Sequence, residues 1–237
     1  MQRLTGGEEL LDGPLTDQAA LIGNLRDLAR VNRRLGGARL SLAAIDALAP
    51  GHAAISILDV GTGGADIPLE LIEHGRAVGR LVTVTGVDSR PEVLTAAAIA
   101  DPRITATGEL ALHVGDGAAL PFADGAFDVV HSSLLVHHLE TPAARHVLAE
   151  MARVARIGVV VNDLVRSRPS WIGAWLLSHL ASRNRFTRVD APMSVRRAYT
   201  VAELTALLAA AGLRVERRFD GFVGHRVALV ARRGPPR

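Results

Sequence analysis

Apolar and polar residues follow two different periods along this chain, and the period changes at short turns that contain Gly, Pro or Asp. Residues 16–35 place apolar side chains every three or four positions, which predicts an amphipathic helix that opens at Thr16 and stops at Gly36. A second, shorter helix is predicted over residues 42–48. From residue 55 onwards, apolar runs typical of buried strands alternate with helical segments, so the pattern changes to that of an α/β domain.

Seven apolar runs predict strands. Predicted helices separate the first five, except that a loop joins the third to the fourth. The helix after the second strand opens with a capping box, Ser89 to Glu92, and the helix before the sixth strand opens with another, Thr200 to Glu203. Strands alternating with helices at this spacing favour a doubly wound, mostly parallel sheet. The last two are joined by a short Gly-containing turn and must be antiparallel to each other. The predicted strands cover residues 55–60, 81–87, 110–114, 127–134, 157–161, 213–219 and 225–231.

The pattern divides the chain into a cap, a sheet domain and an insert. Residues 1–50 hold only the two first helices, and residues 51–237 hold the strands. The alternation breaks at residues 164–198, after the fifth strand. This insert carries an apolar face at helical spacing, made of Trp171, Ile172, Trp175, Leu176 and His179. That face predicts contact with an apolar ligand, with the core or with a second subunit, and the sequence does not separate the three.

Composition excludes several classes of protein. The 237 residues are 49% hydrophobic and include no cysteine, which excludes a disordered chain, a disulfide scaffold and thiolate chemistry. No apolar run approaches the roughly 20 residues that a membrane span requires. The first ten residues lack the apolar centre of a signal peptide, so a cytoplasmic location is predicted.

A Gly-rich turn after the first strand gives the sharpest chemical signal, in the sequence Asp59-Val-Gly61-Thr62-Gly63. Such a turn at the start of a helix lets backbone N–H groups approach a ligand closely. The carboxylate of Asp59 would repel a pyrophosphate but can accept hydrogen bonds from a cationic amino group. The third glycine of the dinucleotide fingerprint falls on Asp66, so that motif is absent.

Two further acidic residues end neighbouring strands. Asp88 ends the second strand, where an acid in such folds accepts hydrogen bonds from ribose hydroxyls. Asp116 follows the third strand within Gly-Asp-Gly and is placed to accept from an exocyclic amine such as that of adenine. Either acid alone could be a solvated cap, but three acidic strand ends in order predict a nucleoside ligand with a cationic amino-acid end.

With these residues, the chain resembles the class I methyltransferases that depend on S-adenosylmethionine (SAM), specifically the small-molecule type similar to ubiquinone/menaquinone methyltransferases. The resemblance runs from about residue 55 to residue 232 and is most specific in four stretches. It implies a Rossmann-like, seven-stranded sheet with an antiparallel last strand. One departure is Ala65, where many members have a third glycine. The four stretches are residues 58–63, 87–88, 115–122 and 127–139.

The resemblance implies SAM as cofactor and assigns residues to it. The methionine end would lie against the Gly-rich turn, the ribose at Asp88, and the adenine at Asp116. The N-terminal helices would close the other side, where Arg26, Arg30 or Arg33 would meet the SAM carboxylate. The expected cofactor-binding residues are Asp59, Gly61, Thr62, Gly63, Asp88, Ser89, Asp116, Gly117, Ala118, His131 and Ser132.

Three residues are candidates for catalysis. His137 and His138 follow the fourth strand, at the end of the sheet where an acceptor would lie, and a histidine there could take a phenol proton. Asp163 ends the fifth strand and could orient the acceptor, or merely cap its loop. The acidic triad of metal-dependent catechol methyltransferases is incomplete, because the fourth strand ends in His131-Ser132-Ser133. No metal is therefore expected.

The resemblance also implies a substrate class, with alternatives. The insert at 164–198 falls where the family builds a substrate lid, and its two Trp favour a small aromatic acceptor, phenolic or polyketide-like. We predict O-methylation, with C-methylation of a quinone-type ring as the close rival. Residues 151–237 contain 16 Arg against five acids, which suggests nucleic-acid methylation as an alternative function. The Pro-Pro-aromatic element that grips a flipped base is absent, however. A non-catalytic SAM-binding protein and a homodimer stay open.

Overall fold

The computed structural model describes residues 1–7, 9, 13, 15 and 17–234. Helix α1 (Gln18–Arg34) begins where the Asp17 side chain accepts a hydrogen bond from the backbone N–H of Ala20. Thr16, predicted to open this helix, lies outside the described residues. Helix α2 (Gly37–Leu48) starts five residues before its predicted start, because Gly36 takes a φ of +80° and turns the chain directly into it.

Seven strands form one sheet in the order β3-β2-β1-β4-β5-β7-β6. Neighbours from β3 to β5 are parallel, whereas β7 is antiparallel to both β5 and β6. The predicted fold class and the antiparallel last strand are confirmed. The strands are β1 (Ala54–Val60), β2 (Leu81–Asp88), β3 (Leu110–Val114), β4 (Phe127–Ser133), β5 (Ala155–Leu164), β6 (Leu213–Asp220) and β7 (Arg226–Arg233).

Helices cover both faces of the sheet. Leu148 and Leu208 belong to the core on one face, and Ile45 and Ile72 to the core on the other, so the sheet is the middle of three layers. None of the described helices has the length and apolar content to span a membrane. The remaining helices are α3 (Asp66–Ala77), α4 (Pro91–Ala100), α5 (Arg103–Ala106), α6 (Thr141–Val154), α7 (Arg168–Ala181), α8 (Arg185–Arg197) and α9 (Val201–Ala210).

The two predicted capping boxes have different outcomes. Thr200 and Glu203 form one at the start of α9, as predicted. The one at Ser89 is wrong, because Arg90 is the residue before α4 and its backbone N–H binds the Asp88 carboxylate. The guanidinium of Arg90 binds Glu92, and no side-chain cap hydrogen bond from a described residue forms at the start of α4.

The insert forms the helix pair α7 and α8. The apolar face predicted on α7 lies in solvent, with Trp175 and Leu176 both more than 40% exposed. The buried residues of α7 include the small polar side chains Ser170 and Ser178. In this structure the predicted face therefore covers neither the core nor the ligand-facing end of the sheet.

Candidate active site

The carboxyl ends of four parallel strands, β1, β2, β4 and β5, meet at one edge of the sheet, and the Gly-rich turn lies at its centre. Gly61 and Gly63 take φ values of +71° and +52°, and Ala65 follows with +53°. A Cβ at Gly61 would lie 2.8 Å from Leu135, so only glycine fits there. A Cβ at Gly63 would meet nothing nearer than 4.0 Å, so the backbone of this turn faces open space.

Asp88 is oriented by the turn itself. Its Oδ2 accepts from the backbone N–H of Gly63 at 2.9 Å, and its Oδ1 accepts from the backbone N–H of Arg90 at 3.1 Å. Burial raises the pKa of Asp88, although these two donors act in the opposite direction. Each carboxylate oxygen has a second lone pair, so this geometry leaves capacity for hydroxyl donors. Ser89 is exposed beside it.

The loop after β3 presents a second carboxylate. Asp116 is exposed, and its Oδ1 accepts from the backbone N–H of Ala118 at 2.8 Å. Gly117 lies against β1, since a Cβ there would come within 3.0 Å of Val60. The other oxygen of Asp116 has no partner among the described residues, so it is available to an amine donor.

Asp59 and His131 form a buried pair. His131 Nδ1 lies 2.6 Å from Asp59 Oδ1, and its Nε2 lies 2.8 Å from the hydroxyl of Ser41 on α2. The ring is fully buried. The structure therefore places His131 behind Asp59, as a support for that carboxylate, and not along the ligand face where the sequence analysis expected it.

Two buried hydroxyls at this edge have no hydrogen-bond partner. They are Thr62 Oγ1 in the Gly-rich turn and Ser132 Oγ at the end of β4, each unpaired within the described part of the chain. Buried polar atoms are nearly always satisfied, so such orphans call for an explanation. With the open backbone at Gly63 and the carboxylates of Asp88 and Asp116, they fit a ligand that has hydroxyl, amine and carboxylate groups. The residues present thus fit SAM.

This fit gives a testable prediction for Thr62. Thr62→Val keeps the shape and removes the unpaired hydroxyl, so it should raise the free energy of unfolding of the unliganded protein by about 1 kcal/mol. It should also weaken binding of S-adenosylhomocysteine (SAH) by about threefold to tenfold, if the hydroxyl serves the ligand. Thermal unfolding with and without SAH measures both effects. Thr95→Val, at an exposed helix position, is the control; a loss of stability in Thr62→Val would contradict the prediction.

The structure brings together two of the three predicted catalytic residues. His137 lies in a 3₁₀ turn, Val136–His138, that follows β4, and its Nδ1 is 2.6 Å from Asp163 Oδ1 at the end of β5. The backbone N–H of His137 donates to the other oxygen of Asp163 at 3.1 Å. Both side chains are buried. Asp163 therefore orients the imidazole, a role that the sequence analysis had not given it.

Charge around Asp163 keeps it ionised. Burial alone would raise its pKa, but the charge and hydrogen bond of His137 and the backbone N–H of Leu164 outweigh burial and lower it. An ionised carboxylate at Nδ1 holds the proton on that nitrogen and leaves the Nε2 lone pair free. This arrangement has the geometry that an oriented base requires.

His138 has different surroundings. Its ring lies 4.2 Å from that of His137, and its Nδ1 is 3.7 Å from Oε1 of Glu9. Glu9 also accepts from Ser194 and Arg197 of α8. Sequence reasoning missed Glu9, because it lies in a segment without periodicity, far from the strand ends. Since side-chain nitrogen and oxygen atoms of Glu9 and both histidines lie within 4.8 Å of one another, independence from metal stays a prediction.

A buried arginine at this edge was also missed. Arg226 opens β7 and donates to Asn162, to Asn32 of α1 and to Ser133. Burial lowers its pKa to about 10, against the opposing charges of Asp163 and Asp66, so it stays charged at neutral pH. It ties the N-terminal cap to the sheet.

The arginines expected at the SAM carboxylate are exposed on α1. Arg30 pairs with Asp27 and Arg33 with Glu70, both as partly exposed surface ion pairs. Arg26 is exposed. Two of the three arginines are thus engaged in ion pairs, and a role at the SAM carboxylate stays a prediction.

Comparison with known proteins agrees with this geometry. Residues 57–158 match a family described as a methyltransferase domain. An uncharacterized methyltransferase of Synechocystis sp. is 30% identical over 127 residues, 53% of either chain. A demethylmenaquinone methyltransferase of Roseiflexus castenholzii is 36% identical over 116 residues, 47% of this chain and 43% of that one. The chain thus matches about half the length of these relatives.

A structural likeness extends over nearly the whole chain. Human N-acetylserotonin methyltransferase in complex with SAM superposes with a TM-score of 0.65 at 18% identity, covering 95% of this chain and 61% of the human one. At that identity the likeness speaks for the fold. Together with the matched domain and the strand order, it leads to one conclusion: this chain carries a class I, SAM-binding methyltransferase domain with demethylmenaquinone methyltransferases among its distant relatives.

Proposed function

We propose that this protein transfers a methyl group from SAM to the hydroxyl oxygen of a small aromatic acceptor. The observation that carries the proposal is the pair His137 and Asp163, with Nδ1 and Oδ1 2.6 Å apart at the edge of the sheet that carries the Gly-rich turn. A phenol is a weak nucleophile until it loses its proton, so O-methylation benefits from a positioned base. Binding and orientation alone would suffice for an acceptor that arrives ionised.

The mechanism assigns each residue a task. Bound SAM supplies a methyl group already activated on a sulfonium. Asp163 keeps the proton on Nδ1 of His137, so Nε2 accepts the proton of the acceptor hydroxyl as the oxygen becomes nucleophilic. Asp88, Asp116 and Asp59 would hold the cofactor's ribose, adenine and amino group. The burial of His137 and Asp163 excludes water from the base.

C-methylation of a quinone-type ring is the second candidate, favoured by the 36% identity to a demethylmenaquinone methyltransferase. A reduced quinone is also a phenol, so the same base could remove its hydroxyl proton. The resulting phenolate would donate electron density to the ring carbon that is methylated. The names of the relatives point to aromatic or quinone acceptors in both cases, N-acetylserotonin in one and demethylmenaquinone in the other. The methylated atom therefore decides between the two candidates.

The first test is calorimetric titration with SAH, with NAD as the parallel control. We expect micromolar binding of SAH and none of NAD. The protein is then supplied with methyl-labelled SAM and three acceptor sets: phenols, reduced quinones and RNA. An O-methyl product, identified by its NMR shift, supports the proposal; a ring C-methyl product supports the rival. SAH binding without methyl transfer to any acceptor set would instead favour a non-catalytic SAM-binding protein. No binding of SAH would overturn both candidate methyl transfers.

A further inference from the structure

The insert leaves an apolar surface in solvent. Helix α7 exposes large apolar side chains along one side, and Leu180 is 84% exposed. Single exposed apolar residues are ordinary, but a contiguous set on one helix marks an interaction surface. We call it the α7 face; its members are Trp171, Ile172, Trp175, Leu176 and Leu180.

A second exposed apolar element lies at the same end of the sheet. Phe222 and Val223, in the turn between β6 and β7, are 75% and 77% exposed. The backbone N–H of Val165 binds the carbonyl of His225, which places this turn beside the chain that leads into α7. Val223 has a φ of +49°, a strained conformation for a β-branched residue, and its side chain remains in solvent.

Positive charge without an acidic partner among the described residues flanks the α7 face at both ends of its helix. Five exposed arginines belong to the insert, and none forms an ion pair with a described residue. The only acid in residues 164–198 is Asp190, which is buried. Arg168 and Arg183 lie at the two ends of the apolar helix. The five are Arg168, Arg183, Arg185, Arg188 and Arg196.

We propose that the α7 face, with the turn at Phe222, docks onto the surface of an anionic phospholipid membrane. An interfacial helix combines Trp and Leu on one side with basic residues that meet lipid phosphates, and tryptophan is favoured at the boundary between headgroups and acyl chains. The apolar side chains would enter that boundary, and the arginines would remain among the headgroups. This binding does not depend on the proposed function, because it can be measured without SAM or acceptor.

Charge argues against the other occupants. A second copy paired through the α7 face would bring two sets of unpaired arginines together, and the insert offers no exposed acid to compensate them. A nucleic acid would match the arginines, but it gains nothing from exposed Ile172, Leu176 and Leu180. Only an anionic lipid surface matches both the charge and the apolar side chains.

The two tryptophans of the chain, Trp171 and Trp175, both belong to this face, so their fluorescence reports contact directly. The full chain is mixed with vesicles of phosphatidylcholine alone or with one quarter phosphatidylglycerol. We expect co-sedimentation and a blue shift of the emission with the anionic vesicles only, weakened by high salt. No shift and no co-sedimentation with anionic vesicles would overturn the proposal.

Two variants and a control separate the contribution of the arginines from that of the apolar side chains. Arg183→Gln with Arg185→Gln should weaken vesicle partitioning about 30-fold, since each basic residue near such a surface contributes about fivefold. Leu180→Ser should weaken it about tenfold. Val78→Ser changes an apolar residue that is 58% exposed at the end of α3, and it should have no effect. Equal losses in all variants would contradict the proposal. A dimer, measured by sedimentation, that Leu180→Ser dissociates would contradict it too. So would RNA that displaces the vesicles from the unchanged protein.

Discussion

Replacing His137 by asparagine is expected to lower kcat about 100-fold to 1,000-fold and to leave the Kd for SAH within twofold. The imidazole Nε2 is the base in the proposed mechanism, and a positioned base contributes about 10²-fold to 10⁴-fold. His137 takes no part in the network around Asp59 and Asp88, so cofactor affinity should not respond. Initial rates with the best phenol, together with SAH calorimetry on the same preparations, measure the two effects.

Further variants separate the role of His137 as a base from a purely structural role, and the results expected for the base are these. Asp163→Asn should lose nearly as much activity, because an amide would donate to Nδ1 and move the proton to Nε2. The double variant should lose little more, since both residues act as one unit. His138→Asn should lose less than fivefold. Phenols acidic enough to ionise in water should reduce the defect of His137→Asn, whereas an equal defect across acidic and weakly acidic phenols would contradict the role as a base.

A chelator separates this mechanism from a metal-assisted one. Activity should be the same before and after treatment with a strong chelator, because the proposed base acts through its own nitrogen. If activity is lost and returns with a divalent ion, then the proximity of Glu9, His137 and His138 serves a metal and the base assignment fails.

Asp88→Ala is expected to weaken SAH binding about 100-fold while the far-UV circular dichroism spectrum stays unchanged. The carboxylate is already oriented by the backbone N–H groups of Gly63 and Arg90. It would accept hydrogen bonds from the ribose hydroxyls, and a hydrogen bond to a charged group contributes about 1.5–3 kcal/mol. Calorimetry measures the affinity directly.

Ligands that lack parts of SAH locate the effect. Methylthioadenosine has the ribose and adenine but no amino-acid end, so Asp88→Ala should weaken it as strongly as it weakens SAH. Asp59→Asn should weaken the binding of SAH and leave the binding of methylthioadenosine unchanged. Asp101→Ala, at a partly exposed position paired with Arg103, is the matched control and should bind normally. If Asp88→Ala binds both ligands as tightly as the unchanged protein, the ribose role is refuted.

The insert shows the limit of a periodic pattern. The spacing of Trp171, Ile172, Trp175 and Leu176 predicted a helix, and α7 is there. The expectation that its apolar face would cover a ligand had no local basis, because a helix can present either side to its neighbour. Here α7 packs on α8 and buries Ser170 and Ser178, which a hydrophobicity pattern would place outside.

The site shows the same division at atomic scale. The placement of Asp59, Asp88 and Asp116 at one edge was predictable, because each lies at or directly after the carboxyl end of an apolar strand, and the carboxyl ends of parallel strands share an edge. The partners of the buried groups were not. His131 meets Ser41 across 90 positions of sequence, and Arg226 meets Asn32 across 194.

The sequence by itself determined the strand–helix alternation, the Gly-rich turn and the acidic strand ends, since periodicity and turn chemistry are properties of neighbouring residues. Only the tertiary structure decided which side chains meet. Asp163 reaches His137 because β5 lies beside β4 in a register that aligns Asn162 with Ser133. Sheet register and helix packing are set by the whole core, so no local pattern encodes that the carboxylate of Asp163 would meet the imidazole of His137.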